Sequence, residues 1–137
     1  MHKGLKKALR YRWFIFWILS IQYLLVYFHR VAPAVTAPEL INAFEISGTA
    51  LGVLASAYFY SYGIMQIPVG ILSDRWGPRK VIILSSFIAS LGAISFGLSP
   101  TFSVAIISRI FVGIGVSALF VAAMRILANW FKGVELA

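Results

Sequence analysis

Charged residues come in bursts along this chain, and between the bursts it is almost wholly apolar. Four apolar runs stand out, at about residues 13–40, 48–72, 81–98 and 102–131. Each has at least the ~17–25 residues that a helix needs to cross a bilayer's hydrocarbon core. The first and last are longer than needed, which predicts tilt or kinks. Pro33 and Pro38 are the expected bend points of the first helix, since neither can donate a backbone hydrogen bond. A cleaved signal does not explain the first run, because a signal's apolar core is only ~7–15 residues long. The pattern predicts an all-α integral membrane protein. A basic segment, residues 1–12, precedes four transmembrane helices in residues 13–137.

Composition agrees with that solvent. The chain is 61% hydrophobic and 12% charged, against roughly 25% charged in a soluble domain. It has no cysteine, which excludes disulfides, thiolate metal sites and cysteine nucleophiles. Two histidines are too few for a metal cluster, and no glycine-rich phosphate loop with its lysine is present. No cofactor and no enzymatic activity are expected.

The net charge of +8 is placed for topology. Lys3, Lys6, Lys7, Arg10 and Arg12 precede the first span; Arg75, Arg79 and Lys80 lie between the second and third; Lys132 follows the fourth. The other two loops, residues 39–47 and 99–101, carry no lysine or arginine. The positive-inside rule then puts both ends of the chain in the cytoplasm. The amino-terminal cluster reads as a topology signal that meets anionic lipid, not as a nucleic-acid arm.

Residues 70–80 read GILSDRWGPRK. Gly70 permits close helix approach, and Gly77-Pro78 forms a tight turn. Asp74 can pair with an arginine or with a helix amino terminus. Such a cluster predicts a cytoplasmic latch between helical bundles, released as they rock. The loop resembles the signature of the major facilitator superfamily, G-x-x-x-D-R/K-x-G-x-R-R/K, through Gly70, Asp74, Arg75, Gly77, Arg79 and Lys80. In the fourth helix, SRIFVGIGVSA is similar to that family's R-x-x-x-G-x-G motif through Arg109, Gly113 and Gly115. The resemblance covers essentially the whole chain but only a third of the family's pattern. It implies the first part of a twelve-helix bundle built from three-helix repeats. The missing carboxy-terminal helices are then expected partners, and secondary active transport by alternating access across the cytoplasmic membrane is the expected activity.

Three basic residues lie inside the spans: Arg30, Arg109 and Arg125. A charge at mid-bilayer costs roughly 2.5–3.5 kcal/mol on insertion scales, so each needs a reason. At ~1.5 Å per residue, Arg30 lies about 15 Å inside the outer end of its helix. Arg125 lies about 9 Å from the inner end of the fourth helix, and Arg109 about 10 Å from its outer end. No carboxylate is expected at a comparable depth, because Glu39 and Glu45 sit at the outer end and Asp74 and Glu135 at the inner end. Arg30 and Arg125 therefore call for a carboxylate from a helix outside this chain or for an anionic ligand, whose oxygens suit a guanidinium fork. The ligand reading makes Arg30 a substrate-binding residue, assisted by Arg125, Tyr62 and Gln66. Arg109 either bonds backbone carbonyls of a neighbouring helix or takes part in coupling.

His29 is the candidate for moving protons. Gly52, Ser56, Gly63 and Gly70 share one face of the second helix and are expected to pack against a neighbour. Gly113 and Gly115 are expected packing residues, as are Tyr58, Phe59 and Tyr60. The third helix offers Ser86 and Ser90 but no charge, which suits a peripheral support.

Within the superfamily, Tyr27–Arg30 resembles the Y-x-x-R of organophosphate antiporters, as does Arg125 five residues before Trp130-Phe131. Anion:cation symporters carry D-R where this chain has His29-Arg30, and the antiporters carry a lysine where Gln66 falls. The resemblance therefore implies a small organic anion, and the differences weaken the case for a phosphate ester specifically. Rival readings are a transporter-like ligand sensor without flux and a truncated remnant without function. Small four-helix exporters use an intramembrane glutamate, which is absent here.

Overall fold

The computed structural model describes residues 2–130, and the side chains discussed lie between Tyr11 and Ala128. Phe131, Lys132 and Glu135 lie outside the described residues. Five helices follow one another: α1 His2–Val35, α2 Ala37–Phe44, α3 Gly48–Trp76, α4 Pro78–Gly97 and α5 Phe102–Trp130. No strand occurs among the described residues.

Three stretches are each long and apolar enough to span a membrane: Trp13–Val35 of α1, Pro78–Gly97 of α4 and Phe102–Ala128 of α5. A fourth forms if α2 and α3 are taken together, bent by 111°. The chain is an all-α, multi-pass membrane protein.

The first helix stops earlier than its apolar run. It passes through Pro33, ends at Val35, and resumes as α2 after Thr36. Pro38, in the first turn of α2, has no N–H for the Ala34 carbonyl, and its ring crowds the turn before it. A proline is tolerated in a first turn, where donors are unpaired anyway, so it becomes the start of a new helix. Between α2 and α3, Glu45 takes a left-handed conformation (φ 51°) and donates its N–H to the Ile41 carbonyl. Ser47 then caps α3 by accepting from the Ala50 N–H at 3.2 Å. At the other end, α3 runs four residues past the expected boundary to Trp76, where Gly77 (φ 87°) turns the chain into Pro78 and α4.

The core sits around α5. Val112, Val116, Ala118 and Ala122 of α5 are buried with Tyr58 of α3 and Ala89 of α4. Small residues let these helices close up. A Cβ on Gly115 would stand 2.6 Å from both the Ser85 carbonyl oxygen and the Ala89 Cβ. One on Gly113 would stand 2.6 Å from the Tyr58 carbonyl oxygen. The glycines of α3 differ from expectation. Nothing among the described residues comes within 4 Å of a Cβ built at Gly52, Gly63 or Gly70. Their shared face points away from α5, which packs against α3 on its Leu54–Tyr58 side, so these glycines meet no other helix among the described residues. The long apolar surface of α1 is mostly exposed, with Leu19 and Val26 among the few buried residues.

Replacing Gly115 by Ala is expected to destabilise the detergent-solubilised protein by about 1–3 kcal/mol, the usual cost of overpacking. Gly63→Ala is expected to be neutral or slightly stabilising, because the site is open and alanine is the better helix former. Thermal melting of the two variants side by side checks the contrast, and equal losses would contradict this packing.

Candidate functional site

The site grows from two helix faces. On α1, Tyr23, Tyr27 and Arg30 recur at helical spacing and form one stripe. On α3, Tyr58, Phe59 and Tyr62 occupy the facing turn. Arg30 lies over the Phe59 ring, 5.1 Å from its centroid. Tyr23 meets Tyr27 edge-on at 5.4 Å, and Tyr58 stacks on Tyr62 at 6.3 Å. Together with Phe120 of α5, these side chains line a pocket beside the guanidinium. Its enclosed part is about 20 Å³, room for about one water. Arg30 itself is exposed and has no carboxylate partner among the described residues.

Arg109 is the opposite case. It is 2% exposed, wedged between the rings of Tyr58 (4.8 Å) and Phe96 (5.4 Å). Its Nη2 donates to the His29 carbonyl oxygen at 3.0 Å. Among the described residues, no carboxylate reaches it. A π-face and a carbonyl dipole are the counterparts open to a cation buried this way.

Arg125 requires a correction. The expectation that no carboxylate lies at its depth does not hold, since Arg125 Nη1 pairs with Asp74 Oδ1. The reason is the extra length of α3, which keeps Asp74 on the helix and turns it toward α5. Arg30 meets α3 at Phe59 and Arg125 meets it at Asp74, positions about 22 Å apart along a helix. The structure therefore does not bring these two arginines to one site. Arg75, Arg79 and Lys80 are exposed around the α3–α4 turn and make no ion pair among the described residues.

Tyr62 lines the pocket beside Arg30, whereas Gln66, half-buried one turn further on, does not. His29 faces elsewhere. It lines a separate groove of about 330 Å³ with Gln22, Ser86 and Ser90. There Gln22 Nε2 donates to Ser86 Oγ at 3.0 Å. Neighbours on a helix diverge by about 100°, which sends His29 and Arg30 to different surfaces. Residue-by-residue reading overlooked Tyr23 and Gln22, and it gave Tyr27 no place in the pocket. The signal for the two tyrosines was the polar stripe that they complete with Arg30.

Residues 19–137 match the family model for the Major Facilitator Superfamily. The chain belongs to that superfamily. It is 36% identical to an uncharacterized transporter, YybO, of Bacillus subtilis, over 90% of this chain and 28% of the relative. To the probable sulfoacetate transporter SauU of Cupriavidus necator it is 29% identical, over 96% of this chain and 30% of the relative. To the probable galactarate/D-glucarate transporter GarP of Escherichia coli it is 30% identical, over 95% of this chain and 31% of the relative. The chain thus spans less than a third of the length of these curated relatives. No solved structure matches it.

The ion pair joins Asp74, a member of the loop signature, to Arg125 of α5, and both side chains are partly exposed (60% and 42%). A double-mutant cycle with Asp74→Asn and Arg125→Gln is expected to give a coupling of about 0.2–1 kcal/mol in low salt. The coupling should shrink in about 1 M salt. Strict additivity at low salt would contradict the pairing.

Proposed function

We propose that this chain is the amino-terminal part of a secondary transporter that carries a small organic anion across the cytoplasmic membrane by alternating access. The observation that carries the reading is Arg30. It is a permanent cation within a membrane span, set among tyrosines, and no acid among the described residues neutralises it. A guanidinium in that setting is a fork for a carboxylate, sulfonate or similar oxyanion. Tyr27 and Tyr62 flank it with hydroxyls suited to the remaining oxygens. The names of the relatives support an organic anion, since sulfoacetate and galactarate/D-glucarate are small anions. The helices beyond this chain supply the rest of the cavity.

The loop at residues 70–80 works as the cytoplasmic latch. Asp74 holds Arg125, Gly77 makes the turn, and Arg75, Arg79 and Lys80 stay free to meet an acidic surface of another bundle. Gly70 leaves that face of α3 open to such a partner. Arg125 acts in this latch rather than at the anion. The clustering of basic residues supports a cytoplasmic placement for both ends of the chain. His29, whose imidazole is of the type that titrates nearest neutral pH, is the candidate for proton coupling.

Uptake of D-glucarate and sulfoacetate by cells expressing the complete reading frame tests the anion site. Arg30→Ala is expected to raise KM about 10–100-fold, the worth of a charge-assisted hydrogen-bonded pair. Arg30→Lys should recover only part of the loss, because it keeps the charge but not the fork. Uptake indifferent to Arg30→Ala would remove the proposal. For His29, the expected result is that His29→Gln flattens the response of uptake to external pH between about 5 and 8, the range in which an imidazole titrates. An unchanged pH profile would remove His29 from coupling.

A further inference from the structure

We propose that Arg109 is a positioning residue for the anion site, standing in for the backbone donor that Pro33 removes. In an α-helix the N–H of residue i donates to the carbonyl of residue i−4. The carbonyl of His29 should therefore receive the N–H of residue 33, but residue 33 is proline and has none. A free carbonyl in a bilayer has no water to turn to and is costly. The guanidinium of Arg109 arrives at this carbonyl from α5, at 3.0 Å. The two anomalies resolve each other. A buried cation without an acid partner meets a helix carbonyl without its donor. The His29 carbonyl is also the one hydrogen-bond acceptor of Arg109 among the described residues, where its Nε goes unpaired.

The consequence lies one residue on. Arg30 follows His29, so the bond fixes the rotation of α1 where the anion-binding guanidinium leaves the helix. Among the described residues few other contacts help to fix it: Leu19 and Val26 are buried, and Gln22 bonds Ser86 of α4. The same guanidinium rests on Tyr58, whose neighbour Phe59 carries Arg30. Arg109 thus orients both walls of the pocket without touching the anion. This inference rests on the reading of Arg30 as the anion contact.

The test uses the complete protein, with Pro33→Ala, Arg109→Ala, Arg109→Lys, the Pro33→Ala/Arg109→Ala pair, and Arg30→Ala as reference. The first readout is thermal melting in detergent, which needs no substrate. Arg109→Ala should lower the melting temperature more when Pro33 is present than in the Pro33→Ala background, where residue 33 again supplies an N–H. Arg109→Lys should fall between, since an ammonium still donates. An equal loss in both backgrounds overturns the proposal. Where Arg109→Ala alone does not accumulate in the membrane, its recovery by Pro33→Ala is the expected result, and failure in both backgrounds overturns it equally.

The second readout is D-glucarate uptake at matched surface levels. Arg109→Ala should raise KM about tenfold, with the turnover number changed far less, and Pro33→Ala should bring KM back to within about twofold. An effect of Arg30→Ala on KM with none from Arg109→Ala overturns the positioning role and leaves the anion site standing. No effect of either on KM overturns the reading of Arg30 and this inference with it.

Discussion

Arg109 is enclosed between two aromatic rings, and its hydrogen bond crosses from α5 to the backbone of α1. A charge or a polar backbone group without a partner is costly in any interior, and a bilayer offers no water to rescue it. The bond therefore constrains what surrounds it. Tyr58 must stay where its ring faces the guanidinium, which requires α3 and α5 to close tightly. Gly113 supplies that closeness, because any larger residue would meet the Tyr58 carbonyl. Gly115 does the same for α4 at Ser85 and Ala89. The Arg109-x-x-x-Gly113-x-Gly115 spacing is thus one packing unit. Its arginine reaches α1, its first glycine admits α3, and its second admits α4.

The bilayer also explains how much could be read from sequence. Because a span must be apolar for its whole length, the helices announce themselves as uninterrupted runs, and the class of fold follows. Their ends do not, since an apolar run says nothing about where backbone geometry fails. Pro38 moved the first boundary to Val35, and α3 continued through polar Ser73, Asp74 and Arg75 to Trp76. That second difference hid the partner of Arg125, because the expected helix stopped short of Asp74. The intramembrane arginines were legible as sites in need of a counterpart. For Arg109 a backbone carbonyl was one of the two counterparts expected, and the His29 carbonyl is the one found; the ring faces that enclose Arg109 and carry Arg30 leave no mark in the pattern of charges. The glycines show the same limit. Gly113 and Gly63 look alike in sequence, and only the neighbouring helix distinguishes a close contact from an open face.

α3 receives an arginine from each of two other helices. Arg30 contacts it at Phe59, within the aromatic pocket, and Arg125 contacts it at Asp74, beside the charged turn. Both contacts lie on the same helix, with Pro68 between them. In the same helix, the face of Gly52, Gly63 and Gly70 is open among the described residues.

The central claim is that Arg30 meets the transported anion directly. The most direct test is a structure of the protein expressed from its complete reading frame, determined with bound D-glucarate or sulfoacetate. The account predicts an oxyanion within hydrogen-bonding distance of the Arg30 guanidinium, between Tyr27 and Tyr62. An anion bound elsewhere, with Arg30 paired to a carboxylate from a later helix, would contradict it.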